Sequence, residues 1–209
     1  MSLFLVFEGL DGSGKSTLIE GVNQKLVDFG ASVFVTREPG GPMVSEKIRD
    51  VILTKSAEDE PTSRCELLLY AASRAQHVEK WIEPALKEGK TVLCDRFTAS
   101  SVAFQQHARG LSGEAISWLN NFATDGIQPR IQFLLDLTVE ESARRRGARG
   151  QEDRIESEKS DFHERVRQGY LKQAEDDPSG WVVLDATKSP ETLIAEAWSH
   201  ISKLLEEHQ

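Results

Sequence analysis

"FEGLDGSGKST", residues 7 to 17, follows the apolar run "LFLVF" (3 to 7) and leads into a stretch of helical periodicity. The pattern GxxxxGK[ST], with Gly9, Gly14, Lys15 and Ser16 in register between a strand and a helix, describes a loop that cradles phosphates. Without side chains at Gly9, Gly12 and Gly14, the backbone can wrap closely and aim N–H groups inward at a helix N-terminus, which favours anions. Lys15 adds a point charge suited to β and γ phosphates, and the Ser16 hydroxyl suits Mg²⁺. Thr17 is expected at the α phosphate, and Leu10, Asp11 and Ser13 complete the loop. The ligand implied is a nucleoside triphosphate. What is done to it is left open, because such a loop serves switches, motors and kinases alike.

Outward from this loop, short apolar runs recur with helix-like segments between them: "SVFVT" (32 to 36), "TVLCD" (91 to 95), "IQFLLDL" (131 to 137) and "WVVLD" (181 to 185). This is the rhythm of an α/β fold, and continuously apolar runs suit strands of a parallel sheet covered on both faces. Five parallel strands are predicted. Helices are predicted at 15 to 29, 43 to 53, 112 to 124 with Ser112 as cap, about 158 to 176, and 190 to 206. A longer one starts near Ser63, where "SRCE" has capping-box spacing, and is broken or kinked at Pro84 and ended by Gly89. A single domain over 1 to 209 is expected, with no linker or repeat.

The formal net charge of -9 argues against a coat for nucleic acid or acidic membranes, so an anion must be met by local basic clusters. No stretch approaches a membrane span, and a soluble, cytoplasmic protein is expected. Cys65 and Cys94 lie on segments that read as buried; they imply neither zinc nor a disulfide. The five histidines show no shared ligand spacing, and the four tryptophans read as core or interface residues.

Three readings of the loop compete. A guanine-reading switch would carry [NT]KxD, but "TKSA" (54 to 57) and "TKSP" (187 to 190) lack the aspartate. A motor would carry a strand ending in Asp-Glu, whereas "TVLCDR" ends in Asp95-Arg96. That leaves phosphoryl transfer to a bound acceptor as the favoured reading. A kinase for another nucleoside monophosphate and an ATP-binding switch without an acceptor are the alternatives.

The motifs "FEGLDGSGKST", "TREPGG" (36 to 41), "LLLYAASR" (67 to 74), "CDRF" (94 to 97), "RG" with "DRIE" (149 to 156) and "LDAT" (184 to 187) together resemble the thymidylate kinase family, in particular its bacterial branch. The resemblance implies a P-loop fold of the nucleoside monophosphate kinase type and the reaction ATP + dTMP giving ADP + dTDP. ATP and Mg²⁺ are the cofactors it implies, dTMP the small-molecule partner, and a homodimer the assembly.

Residue by residue, it places the thymine ring on Tyr70 and its O4 at Arg74. These two lie four apart and share a helix face; spacing alone would favour core packing by Tyr70 with a solvated Arg74. Arg96 resembles the arginine that grips the acceptor phosphate, with Arg49 a second phosphate contact, and a planar fork suits that task. Asp95 either holds Mg²⁺ through water or pairs with Arg96. Asp11 is costly beside phosphates unless something offsets it, and resembles the family's acidic contact to the 3'-hydroxyl or the metal shell. Ser101 and Gln105 match positions that line the thymine edge. Phe104 departs from the tyrosine common there.

The segment "ARRRGARGQEDRIE" (143 to 156) carries five arginines and two glycines around a break between helices. A lid at about 142 to 156 is expected to deliver an arginine to the transferred group, since charge stabilisation supplies most of the rate in phosphoryl transfer. Gly12 stands where some family members carry a basic loop residue, so the chain resembles the lid-arginine type. Arg149 is the expected lid arginine, with Arg154 assisting.

Overall fold

The computed structural model describes residues 2–56, 58–147 and 152–206. Five strands, β1 (Phe4–Glu8), β2 (Val33–Arg37), β3 (Thr91–Asp95), β4 (Ile131–Asp136) and β5 (Trp181–Asp185), form one parallel sheet in the order β2-β3-β1-β4-β5. Each of the five apolar runs is a strand, shifted by at most a residue or two. The order places β1 at the centre, with later strands added on either side, so the loop after β1 opens at the C-terminal edge where ligands of open α/β sheets bind.

Side chains alternate across the sheet and bury both faces. Leu5, Phe7, Phe133 and Leu135 pack against α1 (Lys15–Asp28), through Leu18, Val22 and Leu26. The C-terminal helix adds Ala197 and Ile201 to the same core. Phe4, Val6, Val92 and Cys94 face the other way, onto Val78, Ile82 and Ala85. Leu134 and Trp181 share that face with Phe162, Val166 and Tyr170. The edge strands are less covered: Val35 on β2 and Val183 on β5 are about half exposed, because no further strand protects them.

The remaining helices are α2 (Met43–Leu53), α3 (Ser63–His77), α4 (Glu83–Lys87), α5 (Thr98–Ser101), α6 (Gly113–Thr124), α7 (Val139–Gly147), α8 (Ser160–Asp176) and α9 (Pro190–Glu206). Three expectations are corrected. The residue before α3 is Thr62, without a side-chain cap, and Glu66 does not reach back to cap; it is buried in an ion-pair cluster. Pro84 does not break the long helix, because a wide-turn (π) segment, Val78–Ile82, absorbs it and α4 begins at once with the proline in its first turn. Cys65 is exposed, although Cys94 is buried as expected. Ser112 caps α6 as expected, accepting from the Ala115 N–H at 3.4 Å. Among the described residues no helix is long and apolar enough to cross a membrane.

Candidate active site

The glycine-rich loop needs its glycines for definite reasons. Gly9, Gly12 and Gly14 all have positive φ (137°, 84° and 96°), which disfavours any residue with a Cβ. A Cβ on Gly9 would also come within 2.6 Å of the Leu135 carbonyl oxygen. Lys15 is buried across the loop, donating to the Gly9 and Leu10 carbonyls at 3.2 and 3.1 Å. Burial first, then the nearby Arg96 guanidinium, lowers its pKa. Ser16 and Thr17 at the start of α1 are exposed.

Arg96 sits just past β3 with φ 69°, a left-handed conformation that costs a non-glycine residue on the order of 1–3 kcal/mol and that accumulates at functional sites. Its backbone N–H is bonded to the Phe7 carbonyl at 2.9 Å. Its guanidinium reaches Asp11 at 2.8 Å and the Tyr170 hydroxyl at 3.0 Å, and lies over the Phe104 ring at 5.2 Å. Of the two sequence readings of Asp95, pairing with Arg96 is thus not realised; Arg96 pairs with Asp11. Burial alone would raise the Asp11 carboxyl, but Arg96 and then Lys15 outweigh it and hold it well below the usual carboxylate range. The cost of a carboxylate in the loop is offset by these two cations.

The structure brings Arg49, Tyr70, Arg74, Ser101, Phe104 and Gln105 together with Arg96 and Asp11 around one cleft of about 570 Å³, its open mouth included. Arg49 extends from α2 and donates to the Pro39 carbonyl at 2.8 Å. The turn it reaches is held by Glu46, which accepts from Arg37 and from the Gly41 N–H. Arg74 is buried rather than solvated. It donates to Glu38 (2.8 Å), Ser101 (3.0 Å), Asn120 (2.7 Å) and the Phe97 carbonyl (3.0 Å), which commits all but one of its N–H groups. Tyr70, four residues earlier on α3, is half-buried at the same cleft.

A second depression lies on the other side of the loop, lined by Gly12, Gly14, Thr17, Arg145 and Lys188 among others. Here α7 packs on the loop: Ser142 Oγ donates to the Asp11 carbonyl at 2.7 Å, and a Cβ on Gly12 would lie 3.1 Å from the Ser142 carbonyl oxygen and 3.2 Å from Arg145 Cβ. Arg146 is buried beside it, and its Nε has no hydrogen-bond partner among the described residues. Arg149 lies outside the described residues. Arg154 is not brought to the phosphate loop: it is buried away from it, donating to Glu66 at 2.6 Å and to the Ile52 carbonyl at 2.7 Å.

Several residues were missed from the sequence. Glu8, fully buried at the end of β1, accepts from the Phe97 N–H, the Ser100 hydroxyl and the Tyr170 hydroxyl at 2.7–2.8 Å. Burial raises its pKa, although Arg96 opposes the shift. Glu38 holds both Arg74 and His77. The one signal available was an acidic residue at the end of an apolar strand run, as with Glu8, or next to an arginine at such an end, as with Glu38.

The site's oxygens fit Mg²⁺. The Asp95 Oδ1 is buried without a hydrogen-bond partner, and Ser16 presents an exposed hydroxyl. Among the described residues no cluster of three or more His, Cys, Asp or Glu could hold a metal alone; Mg²⁺ commonly shares its shell with waters and substrate phosphates.

A family model described as thymidylate kinase matches residues 7–197. A thymidylate kinase of Bdellovibrio bacteriovorus is 52% identical over 198 residues, covering 92% of each chain. One from Geotalea uraniireducens is 45% identical over 195 residues, covering 90% of this chain and 91% of the other. The crystal structure of thymidylate kinase from Ehrlichia chaffeensis superposes with a TM-score of 0.76 at 30% identity, covering 96% of this chain and 98% of that one. With the family model matched over residues 7–197 and these relatives similar over nearly the whole chain, the chain belongs to the thymidylate kinase family.

Proposed function

We propose that the chain transfers the γ-phosphoryl group of ATP to dTMP, giving ADP and dTDP, as the nucleoside monophosphate kinase step of dTTP synthesis. The observation that carries this reading is the position of Arg96: it lines the acceptor cleft while its guanidinium touches Asp11 of the phosphate loop, so the two binding regions meet at one cation. In this reading the loop N–H groups and Lys15 hold the donor phosphates, Lys15 leaving the Gly9 and Leu10 carbonyls to do so. Arg96 and Arg49 align the acceptor phosphate, which needs no general base because a phosphate monoester dianion is itself a nucleophile. Tyr70 forms the floor for thymine, Arg74 offers its remaining N–H to O4, and Ser101 and Gln105 line the base edge. Phe104 faces the sugar. Mg²⁺, when bound, neutralises charge on the donor oxygens, and Ser16 and Asp95 are the residues for it. Arg149, in the lid at 142 to 156, is assigned to the transferred group on family resemblance, with Arg154 anchoring that segment to the acceptor wall.

The assembly proposed is a homodimer of single-domain subunits acting in the cytoplasm. Its support is an apolar surface on helices that pack side by side: Met43 on α2, Leu68 on α3, and Trp118 and Phe122 on α6 are all more than half exposed, the last two with rings stacked at 5.4 Å.

The test offers dTMP, dUMP, UMP, CMP, AMP and GMP separately with ATP and Mg²⁺. Turnover strongly favouring dTMP is expected. Preference for another base would remove the thymine assignment, and equal turnover of UMP and dUMP would show that Phe104 does not select the sugar.

A further inference from the structure

The acceptor cleft's polarity is set by a carboxylate behind its wall. Glu66, on α3, is fully buried. Its Oε1 accepts from Gln105 Nε2 at 3.0 Å and Arg109 Nε at 3.2 Å, and its Oε2 from Arg109 Nη2 at 3.0 Å and Arg154 Nη2 at 2.6 Å. Burial alone would raise this carboxyl, but the hydrogen bond and charge of Arg109 outweigh it and keep it ionised. An ionised carboxylate only accepts. The end of the Gln105 amide facing Glu66 must therefore be NH₂, because a turned amide would set two oxygens against each other in a buried place.

This leaves Gln105 Oε1 without a partner among the described residues, on a side chain that lines the same cleft as Tyr70 and Arg74. Arg74, locked by Glu38, Ser101, Asn120 and Phe97, contributes one uncommitted donor. Beside the Ser101 hydroxyl, which accepts from Arg74 and whose own proton can rotate, the wall thus holds one fixed donor and one fixed acceptor. Thymine and uracil present the complement, a 4-oxo acceptor beside an N3–H donor. Cytosine presents the reverse, a 4-amino donor beside an N3 acceptor.

We infer that Glu66 is a positioning residue for base selection: by fixing the Gln105 amide with its oxygen toward the cleft, it makes the acceptor site take 4-oxo, N3-protonated pyrimidines and reject 4-amino ones. The inference rests on the placement of the base proposed above.

The experiment compares kcat/KM for dTMP and 5-methyl-dCMP, which differ only at C4 and N3, in the wild type, Gln105→Leu and Glu66→Gln. Gln105→Leu should raise the dTMP KM and lower the selectivity; if it changes neither, the base does not lie where proposed and the inference falls with that placement. In Glu66→Gln the new amide can donate to Gln105 and let it turn, so the dTMP to 5-methyl-dCMP ratio should fall at least about tenfold. If Gln105→Leu behaves as expected but Glu66→Gln lowers both substrates in proportion, Glu66 is merely structural and the inference alone is overturned. Should Glu66→Gln fail to fold, the wild type decides through the ¹⁵N side-chain amide signal of Gln105, assigned by its loss in Gln105→Leu. Slow exchange of those amide protons with solvent is expected with or without dTMP, because the NH₂ stays on the buried Glu66; fast exchange in the free protein would overturn the inference.

Discussion

At the residue scale the site is a set of charges held ready by one another. Arg96 carries most of this: a strained backbone, a carboxylate partner in the phosphate loop, and a tyrosine tied to the buried Glu8. Arg96→Lys would keep the charge but lose the planar fork, so kcat/KM for dTMP should fall by about 10²–10³ with the fold retained; a loss under tenfold would remove Arg96 from the acceptor phosphate. Lys15→Ala should abolish turnover without unfolding, and near-normal turnover would detach the loop from the chemistry. Asp11 gives a pH signature. Because its folded pKa is depressed, its stabilisation is complete above the ordinary carboxylate range and is lost as pH falls through the folded value. In denaturant unfolding, wild type should therefore exceed Asp11→Asn at pH 7, with the gap closing in acid. The gap should be small, since Asp11 is about 31% exposed, and a gap that stays constant with pH would contradict the pairing.

At the element scale, α7 packed on the phosphate loop is the least expected feature. Gly12→Ala would place a Cβ at positive φ against the α7 backbone, costing about 1–2 kcal/mol, or about 2–8 °C in Tm. An unchanged melting temperature would mean that α7 moves aside freely. The five strands were legible because each is an apolar run between helix signals, and α2 falls where its periodicity places it. The segment after Arg96 was not: α5 is a single turn of sequence TASS that runs directly into the wide-turn segment Val102–Ala108, and they owe their shape to packing against α8. The phosphate loop was legible in full, because its backbone demands appear as glycines. The residues proposed for the acceptor had no such local signature; their spacing gave only a helix face, and family resemblance named them. Glu8 and Glu66 were invisible because their partners are distant in sequence, Tyr170 being 162 positions from Glu8 and Arg154 being 88 from Glu66.

At the scale of the whole molecule, the parallel sheet sets β1 in the middle, so the loop after β1 and Arg96 after the adjacent β3 emerge side by side at one edge. The glycine-rich loop and the arginine-lined cleft are neighbours because two adjacent strands end together. The apolar surface of α2, α3 and α6 gives the molecule a second face, where Trp118→Lys with Phe122→Glu should convert the proposed dimer to a monomer by light scattering; a wild type already monomeric would exclude that assembly. The account stands most directly on where the phosphoryl group goes. ATP labelled at the γ position, incubated with the protein, Mg²⁺ and dTMP and resolved by chromatography, should place the label in dTDP, with almost none released when dTMP is left out. Label appearing as inorganic phosphate at the same rate with or without dTMP would make water the acceptor and contradict the account.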